Sequence, residues 1–349
     1  MAAMSTAVLA PRIEREPGWI YNRRWDLSLI IGSAVLVPMP LLFAALARLS
    51  GWMSERQAVD AINITVAALI GGPHLFSTAT FTFLNRSFLE RHRAYAAASF
   101  LLPAMVIYLG IYHYSALIQF FFAWASLHVL HQIIYLSDCY RVHAPDRVWS
   151  RAVDYGVILT GLYPIGLYKL ARGEFLVGGV VLPYPDVLRP LGLPRVMGTV
   201  FGALFLVWIW KTWREAQNGR ISVPKTLLIG VTSVVSFCLP MGSNLDVLFQ
   251  GYNMWHSFQY LFLLWLINRL RYQRGEIDNP LVAKLVSQRT MVPYYLCFLA
   301  ATGVLVVLTV LIRALTPLSA DQSYFVVVLS ILLMHYYFDH FLFTRSGWV

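Results

Sequence analysis

The chain has 349 residues, of which 58% are hydrophobic, 15% aromatic and only 13% charged, and its mean hydropathy is +0.61. A soluble protein of this length cannot bury that much apolar surface, so the composition excludes a soluble enzyme and indicates a multi-pass membrane protein. The formal net charge of +10 lies mostly in short loops between apolar runs. Such loops carry the orientation signal of a membrane protein, and we expect no nucleic-acid partner.

Ten apolar runs are long enough to cross a bilayer, which requires about 20 predominantly apolar residues. They lie at 27–48, 59–84, 94–112, 114–138, 152–170, 197–213, 226–241, 248–268, 292–314 and 322–343. With the N-terminus placed in the cytoplasm, 20 of the 27 Lys and Arg residues fall on the cytoplasmic side. This positive-inside asymmetry predicts an all-α polytopic bundle of about ten transmembrane helices with both termini cytoplasmic.

The remaining segments flank or connect these runs. Residues 1–26 lack the order of a cleavable signal peptide and form a cytoplasmic or interfacial segment, 27–343 form a single bundle, and 344–349 form a tail. The Pro- and Gly-rich outer loop 171–195 is expected to form a lid or a strand-like element. The cytoplasmic segment 269–289 is expected to contain an amphipathic interfacial helix after Asn279-Pro280. Three scattered cysteines without CxxC spacing predict neither a disulfide framework nor a thiolate metal site.

Histidines are the unusual feature of the apolar runs. Two of the nine, His92 and His143, lie in cytoplasmic loops beside arginines and are interpreted as solvated. The other seven lie on or at the ends of predicted spans: His74, His113, His128, His131, His256, His335 and His340. All except His113, which begins its span and has no assigned role, belong to four spans predicted to run in the same direction. Helices of one direction can bring side chains at similar depth to one point.

The spacing within two spans favours a shared site. His128 and His131, in "HVLHQ" (128–132), are about 60° apart around a helix, and His335 and Asp339 are separated by one turn. His340 lies about 140° from the face of His335, so it joins that face only if the helix is distorted.

Two further features extend this pattern. Asp138 follows His131 by two helical turns on the same stripe. His74 follows Gly71-Gly72-Pro73, which predicts a helix break that aims its ring into a cavity.

A single membrane histidine often makes only an interhelical hydrogen bond, worth about 0.6 kcal/mol. Six together carry a large desolvation cost unless an ion binds them, so we predict a metal centre. The predicted ligands are His74, His128, His131, His256, His335 and His340, with Asp138, Asp339 and Tyr135 as candidate catalytic residues. Polar neighbours that could orient the rings are Gln132, Tyr135, Asn253, Gln259, Tyr260 and Tyr336.

The ligand types narrow the choice of metal. Many imidazoles with one or two carboxylates favour non-haem iron, mononuclear or dinuclear, over copper(I) or an iron–sulfur cluster. Haem b is an alternative if His128 faces His335, or His74 faces His256, across a flat cavity. A catalytic zinc ion is a third, with Asp138 or Asp339 as the base. The aromatic residues of the same spans suggest a long hydrophobic substrate that enters from the bilayer.

Four short stretches in order resemble the Brp/Blh-type bacterial β-carotene 15,15′-dioxygenases: "GGPH" (71–74), the histidines of the fourth span, "WHS" (255–257) and "MHYYFD" (334–339). These are polytopic membrane proteins that bind iron through histidines and cleave a carotenoid with O₂. The resemblance implies that His74, His256 and His335 are iron ligands, together with one or both of His128 and His131. "HVLHQ" is also similar to one histidine box of membrane desaturases, although the companion boxes are missing.

We therefore expect a bacterial inner-membrane oxygenase that acts with O₂ on a carotenoid, another isoprenoid or another apolar lipid. An electron donor is a possible further partner. Two other classes of protein stay open at this point: a haem-binding electron-transfer subunit, and a transporter whose histidines relay protons.

Overall fold

The protein is almost entirely helical, as the sequence predicts. The computed structural model describes residues 16–141, 148–177, 180–242 and 244–344. Within these ranges the α-helices are α1 Arg23–Trp25, α2 Met39–Ser50, α3 Glu55–Val66, α4 Gly72–Ser77, α5 Arg86–Arg91, α6 Arg93–Ala98, α7 Leu101–Tyr112, α8 Tyr114–Arg141, α9 Val148–Thr160, α10 Tyr163–Ala171, α11 Leu193–Gln217, α12 Val223–Cys238, α13 Leu245–Gln273, α14 Pro280–Val286, α15 Val292–Ala301, α16 Gly303–Leu315 and α17 Ala320–Phe343. The all-α fold class is confirmed.

Short segments of other structure join or interrupt these helices. The loop 171–195 contains two-residue strands, β1 Leu176–Val177 and β2 Val180–Val181, which pair antiparallel, so this loop is strand-like as expected. π-Helical turns lie at Asp26–Ile31 and Ala67–Gly71. 3₁₀ turns lie at Gly32–Leu36, Thr78–Thr80, Asp186–Leu191 and Leu239–Met241.

Eight helical segments of the described chain are long and apolar enough to cross a membrane, which supports a multi-pass membrane protein. They are Arg23–Ser50, Glu55–Thr80, Arg93–Tyr112, Tyr114–Arg141, Leu193–Gln217, Val223–Met241, Val292–Leu315 and Gln322–Phe343. Each coincides with one of the ten predicted runs. The exact number of spans, and the cytoplasmic position of both termini, stay predictions, and residues 1–15 and 345–349 lie outside the described chain.

The two other predicted runs are helical but differ from simple apolar spans. The run 152–170 divides into α9 and α10 at residues 161–162, with Pro164 at the start of the second helix. The run 248–268 belongs to α13, a continuous helix of 29 residues. α13 carries polar side chains such as Asn253, His256 and Gln259 along its length. His256 and Gln259 are buried inside the bundle and Asn253 is half-buried, so other helices rather than lipid surround most of these side chains.

The helix α13 forms the centre of the bundle. Residues 259–271 are all buried, so this helix is enclosed on every side. At the opposite extreme, α16 exposes valines and leucines along most of its length, including Val310 at 63% and Leu315 at 80%. Large apolar side chains that face outward in this way fit a lipid surrounding. The polar groups of α13 therefore lie where only other protein groups can pair with them.

The predicted helix break before His74 is wrong in detail. Residues 67–71 form a π-helical turn, and α4 begins at Gly72 without a break in the helix, with Gly71 and Gly72 both in the right-handed helical region. A π turn tolerates Pro73 without a break, because it already shifts the hydrogen-bond register that proline would interrupt. Such turns widen the helix locally, and this one lies directly before His74.

Two local predictions agree with the structure. His113 separates α7 from α8 in the tight turn that the sequence requires there. In the segment 269–289, α13 continues to Gln273 and the short helix α14 begins at Pro280, with the Asn279 side chain accepting hydrogen bonds from its first turn. The position of α14 at a membrane interface stays a prediction.

A buried ion-pair network joins α8, α9, α11 and α12. The carboxylate of Asp154 is fully buried and lies 2.6 Å from Lys211 Nζ, 2.6 Å from an Arg141 guanidinium nitrogen and 3.4 Å from Lys225 Nζ. Buried charges of this kind are stable only when they are paired. The network therefore fixes how these four helices pack together.

Candidate metal centre

Four histidines from four helices meet in the interior of the bundle. Their ring centroids form a closed four-membered circuit: His74 to His256 at 4.9 Å, His256 to His128 at 5.0 Å, His128 to His335 at 5.3 Å and His335 to His74 at 4.3 Å. Adjacent rings are inclined by 66° to 88°. All four are at most 5% exposed. These residues, together with Asp339, are called the histidine cluster below.

The spacing of the rings fits imidazoles around one ion. Metal–nitrogen bonds of about 2.1 Å place the centroids of adjacent imidazoles about 4.6 to 5.3 Å apart in square or tetrahedral arrangements. The nitrogen atoms of His74, His256 and His335 that could bind a metal lie within 4.8 Å of one another, and so do the ligand atoms of His128, His335 and Asp339. Small side-chain rotations would therefore bring these atoms to bonding distance.

Hydrogen bonds orient His74 so that one nitrogen faces the cluster. Ser257 Oγ donates its only proton to Asn253 Oδ1 at 3.0 Å, so it must accept a hydrogen bond from His74 Nδ1–H at 2.9 Å. The lone pair of this ring is then on Nε2, which has no hydrogen-bond partner in the described structure. An imidazole in this tautomer is ready to bind a cation through Nε2.

His335 is oriented in the same way by a second chain of hydroxyl groups. Tyr260 donates to Asp339 Oδ1 at 2.6 Å, so the Tyr260 oxygen accepts from Thr78 Oγ1 at 2.8 Å. Thr78 Oγ1 has then used its proton and accepts from His335 Nδ1–H at 2.6 Å. His335 Nε2 consequently carries the lone pair, and it too lacks a hydrogen-bond partner.

The second oxygen of Asp339 faces unprotonated nitrogen. Asp339 Oδ2 lies 3.2 Å from His335 Nε2 and 3.6 Å from His128 Nε2, and it makes no hydrogen bond among the described residues. The carboxylate is 1% exposed, and these two histidines are its only partners in the described ion pairs. Two lone pairs at this distance repel each other, and a buried carboxylate without a cation is costly. A bound cation would resolve both problems.

The geometry favours one ion over two. The two possible ligand groups share His335, whose Nδ1 is already bonded to Thr78, so only its Nε2 can reach a metal. A single imidazole nitrogen does not bridge two ions. The two groups therefore cannot each be complete around a separate ion, and together they comprise four imidazoles and the carboxylate of Asp339.

The rings are held by packing as well as by hydrogen bonds. Tyr336 stacks on His128 with centroids 3.9 Å apart and an angle of 22°, while Tyr260 packs edge-on against His74 at 4.6 Å. Gln132 donates to the backbone oxygen of His256 at 3.1 Å and also to Gln259. These contacts support the rings of His74 and His128 and the backbone of His256.

Two of the six predicted ligands lie elsewhere, so the expected set narrows to four. His131 is half-buried with its ring 5.4 Å from that of Phe343, and His340 is exposed on α17. They are electrostatic neighbours of each other, but neither belongs to a possible ligand group. The rotation of α17 that turns His335 and Asp339 inward turns His340 outward. His131 lies about one turn further along α8 than His128 and packs against Phe343 instead of the other histidine rings.

The structure separates the two predicted acidic residues. Asp339 belongs to the cluster, whereas Asp138 pairs with Arg141 at 3.2 Å and Arg151 at 2.8 Å and accepts a hydrogen bond from Tyr155. Asp138 thus belongs to the group of ion pairs at the C-terminal end of α8. Tyr135 is buried against Phe343 at 5.4 Å and makes no described contact with a histidine of the cluster, so a catalytic role for it has no geometric support.

Sequence reasoning identified some of the orienting residues and missed others. Tyr260, Asn253 and Tyr336 were predicted to support the rings, and each contacts the cluster or its hydrogen-bond chains. Thr78 and Ser257 were missed. Their signal in the sequence is weak: Thr78 follows His74 by one helical turn, and Ser257 directly follows His256.

Comparisons of the chain with protein-family models, with curated proteins and with solved structures gave no match.

Proposed function

We propose that the protein is a membrane-embedded oxygenase that binds one non-haem iron ion in the histidine cluster and acts with O₂ on an apolar lipid. The observation that carries this proposal is the convergence of unpaired imidazole nitrogens from four helices beside a buried carboxylate. Buried polar groups are normally hydrogen-bonded, so this concentration of unpaired ones is best explained by a bound cation.

The ligand set is compatible with iron and argues against copper(I) and haem. Imidazole with carboxylate suits iron, zinc and other divalent metals, and the described cluster contains no sulfur ligand of the kind that copper(I) prefers. A haem bound by two histidines separates their centroids by about 6.5 Å on opposite faces of the macrocycle. The pairs His128–His335 and His74–His256 are closer, at 5.3 and 4.9 Å, and the other two rings occupy the space a macrocycle would need.

The residues of the chain would hold the ion, fix its ligands and keep water away. Thr78 and Ser257 hold two rings by their Nδ1–H groups, and Tyr260 holds the carboxylate. The near-complete burial of the cluster provides the dry surroundings that a reactive centre requires. When bound, iron with open coordination positions supplies the binding and activation of O₂.

The resemblance to the Brp/Blh-type dioxygenases supports a carotenoid as the substrate. The resemblance implies His74, His256 and His335 as ligands with one or both of His128 and His131, and the first three converge with His128. We propose cleavage of a carotenoid, or of a similar conjugated isoprenoid, as the reaction, in a bacterial inner membrane.

The proposal is tested by metal analysis of detergent-purified protein. Wild-type protein is expected to contain about one iron per chain without a Soret band, and His335→Ala is expected to lose iron and activity together. His92→Ala is the matched control, because His92 lies against Phe88 and Phe341 outside the cluster. A Soret band would support haem, zinc in place of iron would support a hydrolase, and a metal-free wild type would support a transporter. Full iron content in His335→Ala would refute the ligand assignment.

A further inference from the structure

A narrow cleft joins the edge of the bundle to the histidine cluster. The half-buried Asp246, in the first turn of α13, lines its open end, and Gly71, Gly72 and the buried His74 line its inner end. His74 Nε2, which has no described hydrogen-bond partner, belongs to the ring at this inner end. The volume of the cleft is about 80 Å³, which gives room for a small ion with a few water molecules. The cleft is therefore a route by which a small hydrated species can reach the buried rings.

A stripe of polar side chains on α13 follows this route. Asp246, Gln250, Asn253 and Ser257 succeed one another at intervals of four, three and four residues, which places them within a sector of about 60° around the helix. The first three line the cleft, and Ser257 accepts the hydrogen bond from His74 Nδ1–H. Along the axis the stripe extends about 16 Å, from the start of the helix to the cluster.

Three carboxamide oxygens form a series along the stripe. Asn63 Oδ1, from α3, accepts from Gln250 Nε2 at 2.9 Å, and Gln250 Oε1 accepts from Asn253 Nδ2 at 3.2 Å. Asn253 Oδ1 accepts from Ser257 at 3.0 Å. A carbonyl oxygen has two lone pairs, and each of these oxygens accepts one described hydrogen bond, so each can accept a second partner. Carboxamide and carboxylate oxygens are ligands that suit hard divalent cations.

The charge of the lining favours a cation over an anion. Asp246 is acidic, and none of the residues described along the cleft is Lys or Arg, although these two types outnumber Asp and Glu by 27 to 17 in the chain. A larger cavity, of about 330 Å³, is by contrast lined by Arg91 and Arg271, and no histidine of the cluster lines it. The wall of the cleft formed by Phe121 and Phe122 offers no polar ligand. Neutral oxygens on one side only would hold an ion weakly, and weak binding is what passage to a stronger site requires.

We propose that this cleft is the loading path of the metal centre for a divalent cation. Asp246 attracts the hydrated ion to the open end, the carboxamide oxygens of α3 and α13 replace part of its water, and His74 Nε2 is the first imidazole that it meets. The assignment of the ion as iron rests on the proposed function, whereas loading of a divalent cation along this path does not depend on oxygenase chemistry. By the orientation that the basic residues predict, the path opens towards the outer side of the membrane.

Rates of metal binding test this path separately from the metal centre. Full-length protein in detergent is freed of metal with a chelator and mixed with iron(II) under anaerobic conditions, and release is followed into an excess of chelator. Asp246→Asn should slow binding and release by about tenfold each at low ionic strength, and the affinity should stay unchanged. The reason is that a residue of the path alters the barrier between the free and the bound ion, but not the bound state itself.

Two further variants serve as controls for the charge of Asp246. Asp246→Glu should restore the wild-type rates, because it restores the carboxylate. Glu55→Gln should also leave them unchanged, since Glu55 is exposed in the first turn of α3, about 12 Å along that helix from Asn63. The wild-type binding rate should fall as salt is added, and the rate of Asp246→Asn should respond less.

A steric variant tests the path without changing its charge. Val328 lines the cleft from α17, so Val328→Trp should also slow binding and release together. Val310→Trp is the matched control, because Val310 is 63% exposed on α16, and it should keep the wild-type rates. Asp246→Asn, a small change at a half-buried position, keeps the test decisive if Val328→Trp does not fold. Wild-type rates in Asp246→Asn would overturn the path, and so would a loss of affinity without a change in the binding rate.

Failure of this inference can be told from failure of the proposed function. His335→Ala should lose affinity for iron, whereas the two path variants should lose speed and keep affinity. An iron-dependent oxygenase whose loading is insensitive to both path variants would keep the function and remove the path. A zinc-containing protein whose zinc loading is slowed by both variants would keep the path and remove the oxygenase.

Discussion

Replacing Thr78 by valine removes one hydroxyl group from the centre of the hydrogen-bond chain and keeps the shape of the side chain. Thr78 Oγ1 lies 2.6 Å from His335 Nδ1 and 2.8 Å from the Tyr260 hydroxyl, so the substitution removes two buried hydrogen bonds at once. His335 Nδ1–H is then left without its acceptor, and the ring is free to turn or to change tautomer. Loss of a group that orients a metal ligand typically weakens metal binding by about 10- to 100-fold.

This range corresponds to about 1.4 to 2.8 kcal/mol in the free energy of metal binding. It is measured by titrating purified protein with iron(II) in competition with a chelator of known affinity, under anaerobic conditions. Thr78→Ser should restore most of the affinity, since the serine hydroxyl can make the same two hydrogen bonds. If Thr78 had a purely structural role, Thr78→Val would lower thermal stability, and Thr78→Ser would not restore the affinity for iron without also restoring that stability.

Thr82→Val is the matched control for this experiment. Thr82 is also buried, but its hydroxyl donates only to the backbone oxygen of Thr78, at 3.0 Å, and has no described contact with a histidine. This variant should lose a little stability and keep the wild-type affinity for iron. The reasoning is refuted if Thr78→Val binds iron as tightly as wild type, or if Thr82→Val weakens binding to the same extent.

The remaining predictions concern the buried acidic residues. Asp339→Asn should weaken iron binding at least about tenfold in the same titration, because it removes the only carboxylate of the cluster, while Asp138→Asn should leave it unchanged. The opposite order of effects would mean that the wrong acid has been assigned to the metal. Asp154→Asn should lower the free energy of unfolding by about 3 to 5 kcal/mol, because it leaves buried cations without their carboxylate. Asp186→Asn, which disrupts a pair on the surface, should cost no more than about 1 kcal/mol. Thermal unfolding in detergent measures both, and equal shifts in the two variants would contradict the role of burial.

The agreement between sequence and structure is best for features that depend on one helix at a time. The apolar runs predicted the helices, because a membrane span must satisfy its backbone hydrogen bonds internally. The spacing of His335 and Asp339 placed both on one face, and α17 does present both to the same point. His74, His128 and His256 were singled out simply because imidazoles are costly in an apolar surrounding.

The sequence could not predict the features that depend on several helices together. Helical periodicity fixes which residues share a face, but it does not fix how far each helix is rotated about its axis or shifted along it. For that reason His131 and His340 were expected in the cluster although their faces point elsewhere, and Asp138 was not distinguished from Asp339. The hydroxyls of Thr78 and Ser257 could be recognised only after the histidines they contact had been located.

The amino-acid sequence by itself determined the membrane setting, the helical class and the small set of polar residues that are costly to place in apolar helices. Only the tertiary structure decided which four imidazoles share one centre, which carboxylate joins them and which hydroxyls orient them. The physical reason is that lipid solubility and helix formation follow from local composition, whereas the convergence of side chains follows from the packing of α13 against its neighbours. A rotation of any one of the four helices by a single residue would direct its histidine away from the cluster.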